Sequence, residues 1–185
     1  MTSSHCKTLL ASAALCAAFG ASSAFAATMT QAEYGTTKDR VSADYKADKS
    51  TCVSMSGNQK DVCQEQAKGK EKVARAELEY NYTGKIGDSN KVAVAKADAT
   101  YAVAKEMCDD KAGNLKDVCV AEAKAVHTKA LADAKMVKKV GEAKMDAVDD
   151  KRDANYKVAT EKCDSLAGDA KAACISAAKL RYNKG

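Results

Sequence analysis

The sequence has no proline and no tryptophan, and its two phenylalanines, Phe19 and Phe25, both fall in the first 26 residues. Beyond that point leucine occurs only at Leu78, Leu115, Leu131, Leu166 and Leu180. Without proline, the strongest interrupter of helices is missing. Without many large apolar side chains, most of what stabilises an ordinary core is missing too, because alanine buries little surface. One histidine, His127, lies outside the first 26 residues, which argues against a histidine-built metal centre. No Cys-x-x-Cys pair occurs, which argues against thiol oxidoreductase chemistry and, without a following His, against haem attachment. No glycine-rich phosphate loop, nucleophile elbow or calcium loop is present. The sequence therefore offers no catalytic, cofactor-binding or metal-ligating set, and the expectation is a non-enzymatic protein.

What is abundant is alanine, lysine, aspartate and glutamate, a composition that favours helices. The fold class predicted is all-α. Helices of this kind form readily and pack weakly, so a further constraint is expected to hold them together.

Residues 1–26 read as a secretory signal peptide. Lys7 supplies the positive start, an apolar run follows from Thr8 to Ala21, and Ala24-Phe25-Ala26 offers small residues for cleavage after Ala26. Leu15 before Cys16 is the wrong residue for a lipoprotein signal. No other stretch is long and apolar enough to span a bilayer, so no transmembrane anchor is expected in the mature chain. The start has a bacterial character, and the compartment expected is the periplasm. The net charge is +5 over the whole chain, and the leader removes one lysine from that balance. So mild an excess permits contact with anionic surfaces without requiring it, and no nucleic-acid partner is expected.

Six cysteines remain after the leader, Cys52, Cys63, Cys108, Cys119, Cys163 and Cys174, and they mark a threefold repeat. CVSMSGNQKDVC, CDDKAGNLKDVC and CDSLAGDAKAAC share their cysteine spacing, a glycine (Gly57, Gly113, Gly168), a following Asn or Asp (Asn58, Asn114, Asp169) and a lysine (Lys60, Lys116, Lys171). A tyrosine stands seven residues before each first cysteine (Tyr45, Tyr101, Tyr156), and an Ala-Lys pair begins four after each second one. Coincidence at so many positions identifies a repeated unit.

Each unit reads as a helical hairpin. The glycine ends one helix, the Asn or Asp caps the next, and the two cysteines lie at nearly the same height across the turn. Tyrosine and first cysteine, a heptad apart, share a face. Val94, Ala97, Tyr101, Ala104 and Cys108 step along one stripe, as do Val41, Tyr45, Cys52 and Met55, and Cys119, Ala123, Val126 and Ala130 continue it across the second turn. In an oxidising compartment this predicts three staples, Cys52–Cys63, Cys108–Cys119 and Cys163–Cys174. The units are expected at 27–83, 84–138 and 139–185, forming an elongated bundle or antiparallel coiled-coil-like array. Between the first two, NYTGKIGDSN (Asn81 to Asn90) predicts a turn with a cap at Asp88 or Ser89. Between the last two only Gly141 interrupts, and a long or kinked helix from about Lys116 to Leu166 is favoured over a break. Thr30 with Glu33 matches a capping box, and Arg40/Asp44, Glu71/Arg75 and Lys129/Asp133 are spaced as helix-face ion pairs.

The remaining candidates weigh toward structure. His127 is expected on a solvated helix face and not as a ligand. Met55, Met107, Met136 and Met145 are expected as seam fillers and not as copper ligands. Asp109-Asp110 and Asp149-Asp150 scatter among lysines, as on a solvated face. The basic segments, Lys68, Lys70, Lys72 and Arg75, then Lys124, Lys129, Lys135, Lys138 and Lys139, read as helix surface before a dedicated anionic-polymer site.

The exported Ala/Lys/Asp-rich helices, with GN-x-KDVC at Gly57 to Cys63 and Gly113 to Cys119, resemble a group of bacterial periplasmic repeat proteins sometimes labelled TolA-like cell-envelope proteins. The resemblance covers most of the mature chain and brings no catalytic residues. It implies a structural, cell-envelope or stress-related role. The alternatives are a chaperone-like or anionic-envelope-binding protein, with envelope components or unfolded proteins as partners, and metal sequestration through the thiols.

Overall fold

The computed structural model describes residues 29–184; the leader at 1–26, with Cys6 and Cys16, lies outside them. Five helices follow one another: α1 (Gln31–Thr51), α2 (Gly57–Thr83), α3 (Ile86–Cys108), α4 (Gly113–Cys163) and α5 (Gly168–Arg181). The protein is all-α with three disulfides, as its composition and spacing imply. The capping box forms: Thr30 Oγ1 accepts from the Glu33 N–H at 3.2 Å, and Glu33 Oε2 accepts from the Thr30 N–H at 2.8 Å. None of the described helices is long and apolar enough to cross a membrane.

α4 runs unbroken through Gly141 for 51 residues, about 75 Å at 1.5 Å per residue. The expected boundary at 138/139 therefore falls inside a helix. Gly141 stands where Ile86, at the start of α3, presses on α4, with Ile86 Cδ1 3.0 Å from the place of a Cβ. Glycine here makes room for a neighbour and does not break the helix. The turn between α2 and α3 is made by Gly84, whose φ of 64° is left-handed. The expected cap moves, however. Lys85 is the N-cap, and Asp88 sits in the first turn, buried, accepting from Thr83 Oγ1 at 2.5 Å and Lys91 Nζ at 2.8 Å.

The stapled turns also differ in detail from the expectation. Each helix ends at or beside its first cysteine, and the N–H three residues on bonds back to that cysteine's carbonyl: Met55 to Cys52, Lys111 to Cys108 and Leu166 to Cys163. Gly57, Gly113 and Gly168, with φ near +55°, then begin the following helix where they were expected to end the preceding one. The extended residues before them, Ser56, Ala112 and Ala167, hold the N-cap position without a side-chain bond. Asn58 is thus no cap. Its Nδ2 donates to the Glu106 carbonyl at the end of α3, 2.8 Å away.

Among the described residues, helices pack only against their neighbours in the chain: α1 on α2, α2 on α3, α3 on α4 and α4 on α5. No closed bundle forms. α1 to α4 lie as one antiparallel layer. Gly69 allows a close approach in it, between α2 and α3. α5 follows the same stripe of α4 that α3 uses, further along: Ala134 and Gly141 face α3, while Tyr156, Ala159 and Cys163 continue at helical spacing toward α5. The stripe between them, at Met145 and Val148, is bare. The buried apolar residues are correspondingly few, and three of them are the first cysteines, Cys52, Cys108 and Cys163.

Candidate functional site

The structure pairs the six cysteines as the hairpin spacing requires, Cys52–Cys63, Cys108–Cys119 and Cys163–Cys174, each with Cα atoms 5.7 Å apart. Such bonds belong to an oxidising, exported environment. In every pair the first cysteine is buried and the second half-buried, so the bond lies on the seam. The repeated lysine has a role that spacing alone did not disclose. Lys116 pairs with Asp109 at 2.9 Å and Lys171 with Asp164 at 3.0 Å, each bridge tying the residue after the first cysteine across the turn. The sequence signal was the Cys-Asp dipeptide common to the second and third units. The first unit has Val53 there, 72% exposed, and Lys60 has no such partner.

The repeated tyrosines are half-buried, and the second and third each meet the residue eight beyond the second cysteine. Tyr101 stacks on His127 with ring centroids 4.7 Å apart and planes at 16°. Tyr156 meets Tyr182 edge-on at 6.3 Å. Tyr45 shares a groove with Glu71. His127 is therefore not a solvated residue. Its side chain is only 18% exposed, and Nε2 lies 2.6 Å from Asp98 Oδ1. It occupies the α4 seam, and Val126, expected there, points out at 62% exposure. The one-residue difference follows from the register Cys119, Ala123, His127, Ala130, Ala134, which turns its neighbour away from α3. The methionines depart further: Met55, Met107, Met136 and Met145 are all exposed, and the seams close on alanine without them.

Charges on the basic segments are partly met by acids. Lys68 pairs with Glu65, Lys70 with Asp48, Arg75 with Glu71 and Lys138 with Glu142. Glu71/Arg75 is thus realised, whereas neither Arg40/Asp44 nor Lys129/Asp133 is an ion pair among the described residues. Among those residues no three His, Cys, Asp or Glu side chains cluster to hold a metal ion.

The notable surface is one face of the helical layer. Three parallel grooves cross it. Lys70 and Ala74 line both the α1–α2 and the α2–α3 groove, and Lys96, Thr100 and Ala104 line both the α2–α3 and the α3–α4 groove. A residue that borders two grooves is the ridge between them, so all three open on the same side. The α2–α3 groove holds about 640 Å³ and the α3–α4 groove about 750 Å³. Alanines floor the larger one, with Tyr101 and His127 among them, and Val126 and Val137 stand on its rim. Small side chains keep the backbones close but leave the space above them unfilled. Comparison of the chain with protein-family models, curated proteins and solved structures finds no match.

Proposed function

We propose that this chain is a non-enzymatic, exported scaffold of the bacterial cell envelope, acting in the periplasm after removal of residues 1–26 and working through its grooved face. The observation that carries this reading is the open layer itself. Three clasped turns, each with its own disulfide, hold a shape that the alanine seams alone would hold weakly, and that shape presents a broad surface with no closed interior. Pairing of all six mature cysteines removes the thiolates that metal sequestration would need. The scaffold reading expects a chemical cross-linker applied to intact cells to join the exported protein to envelope proteins in a reproducible set. A protein that cross-links to nothing in the envelope and whose loss leaves envelope integrity unchanged would overturn it.

A second reading is favoured by the unfilled α2–α3 and α3–α4 grooves, whose apolar floors suit helical segments of unfolding clients. Suppression of aggregation of a denatured periplasmic protein, lost when the disulfides are reduced, would favour this chaperone-like role.

A further inference from the structure

The α3–α4 pair has the form of half a four-helix bundle. Two antiparallel helices present an alanine floor, with apolar side chains standing at its edge, and among the described residues no second pair covers it. Val126 and Val137 rise on the α4 side at 62% and 65% exposure, and Val140 continues the same side of the helix. We infer that a second copy of this chain covers the α3–α4 groove, related by a twofold axis parallel to α4, so that α3, α4 and their two equivalents close a four-helix bundle. This goes beyond the scaffold reading and does not depend on it.

Three observations select a second copy as the occupant. The first is surface. Among the described residues only nine apolar residues are buried, three of them disulfide cysteines, while Val126 and Val137 stand exposed beside the groove. So large a shortfall of burial belongs to the chain itself, and the partner present wherever the chain is present is another copy.

The second is shape. Ridge and groove alternate across the face at the helix spacing. A twofold axis parallel to α4 sets each α3 over the partner's α4, so the two α3–α4 grooves face each other and the side chains on their rims fill the space between the alanine floors.

The third is charge. Lys96 and Asp133 border the same groove from α3 and α4. The register that sets Cys108 against Cys119 and Ile86 against Gly141 brings Lys96 within two residues of Asp133 in height, about 3 Å along the axis. Asp133 makes no ion pair among the described residues, and Lys96 bonds Glu77 at 2.7 Å. In the twofold arrangement the Lys96 of each copy lies over the Asp133 of the other, and the pair forms twice. An axis perpendicular to the helices would instead stack α3 on α3 and lysine near lysine.

The test is the mass of the exported, oxidised protein in solution, by sedimentation equilibrium across a wide concentration range. The expected mass is two chains. The double variant Val126→Glu/Val137→Glu changes side chains that are exposed in the single chain, so helicity and all three disulfides should persist while the dissociation constant rises by about a hundredfold or more. Asp133→Lys should weaken association in the same direction, and Lys96→Glu combined with Asp133→Lys should restore it. A wild-type mass of one chain at every concentration overturns the inference, as does a dimer indifferent to both the valine and the charge variants. Client binding by a protein that stays a single chain would likewise overturn it and assign the groove to the chaperone-like reading. Envelope cross-links alone bear on the scaffold reading, so the two fail separately.

Discussion

Ala99 fills the space that a side chain at Gly69 would need: its Cβ stands 2.8 Å from the place of a Cβ at 69. This contact sets how closely α2 and α3 approach. Helix propensity argues for alanine at 69 by up to about 1 kcal/mol. The close approach argues against it, because the Ala99 Cβ is a backbone-anchored methyl that can move only with its helix, and overpacking of this kind costs about 1–3 kcal/mol. Gly69→Ala should therefore destabilise by roughly 1–2 kcal/mol net. Gly35, with nothing within 4 Å of its place of a Cβ, is the control: Gly35→Ala should stabilise by up to about 1 kcal/mol. Denaturant unfolding of the two variants should move in opposite directions.

The staples should matter unequally. In the chain-entropy treatment a loop of about a dozen residues closed by a disulfide contributes about 3 kcal/mol. Cys108→Ser/Cys119→Ser should cost about that much, since α3 and α4 still pack along the whole of α3. Cys163→Ser/Cys174→Ser should behave differently. α5 has 14 residues, touches only α4, and is too short to be stable by itself. Its loss should appear as local release, with protease cutting after Gly168 while the rest of the chain stays helical. Cleavage spread evenly over the chain would contradict this.

The helices and the cysteine pairing were legible because each is a local matter of spacing: a heptad from Tyr101 to Cys108 fixes a face, and Gly113 with its flanking cysteines fixes a reversal. The α3 seam was read correctly for the same reason. α4 was read one residue out, at Val126 for His127, because an alanine-rich helix has apolar residues on several sides and the pattern does not choose among them. The methionines were misplaced by assuming that large apolar residues must fill seams, whereas Gly69 and the alanines bring the backbones too close to admit them. The grooved face was not legible at all. It depends on α2 and α3 turning only their flanks to their neighbours, which is a property of the assembled layer and not of any one unit.

The missing bridge of the first unit can be supplied. Lys116–Asp109 and Lys171–Asp164 occupy equivalent places, and Val53 stands where the aspartates do, exposed to solvent. Val53→Asp should give Lys60 the same partner and stabilise by a few tenths of a kcal/mol, the usual worth of an exposed pair. Added salt should erase the gain. Lys60→Ala in the Val53→Asp background should also erase it, and a gain that survives that second change would have another origin.

Asp88 should make the α2–α3 turn sensitive to acid. Hydrogen bonds from Lys91 and Thr83 hold its carboxyl below the usual aspartate value. A group depressed in the folded state stabilises fully above its unfolded value, about 3.9, and that contribution is lost as pH falls through the folded value. Asp88→Asn should therefore melt below wild type at neutral pH, with the gap closing as the pH is taken below about 4. Glu33 is depressed in the same direction, chiefly by the Thr30 N–H, and adds to acid loss in both proteins, so the comparison must be of the difference between them. A gap that stays constant through this range would mean that the buried carboxylate contributes through packing alone. A gap that closes locates part of the acid sensitivity at the one buried charge of the described chain, where the turn joins the first hairpin to the second.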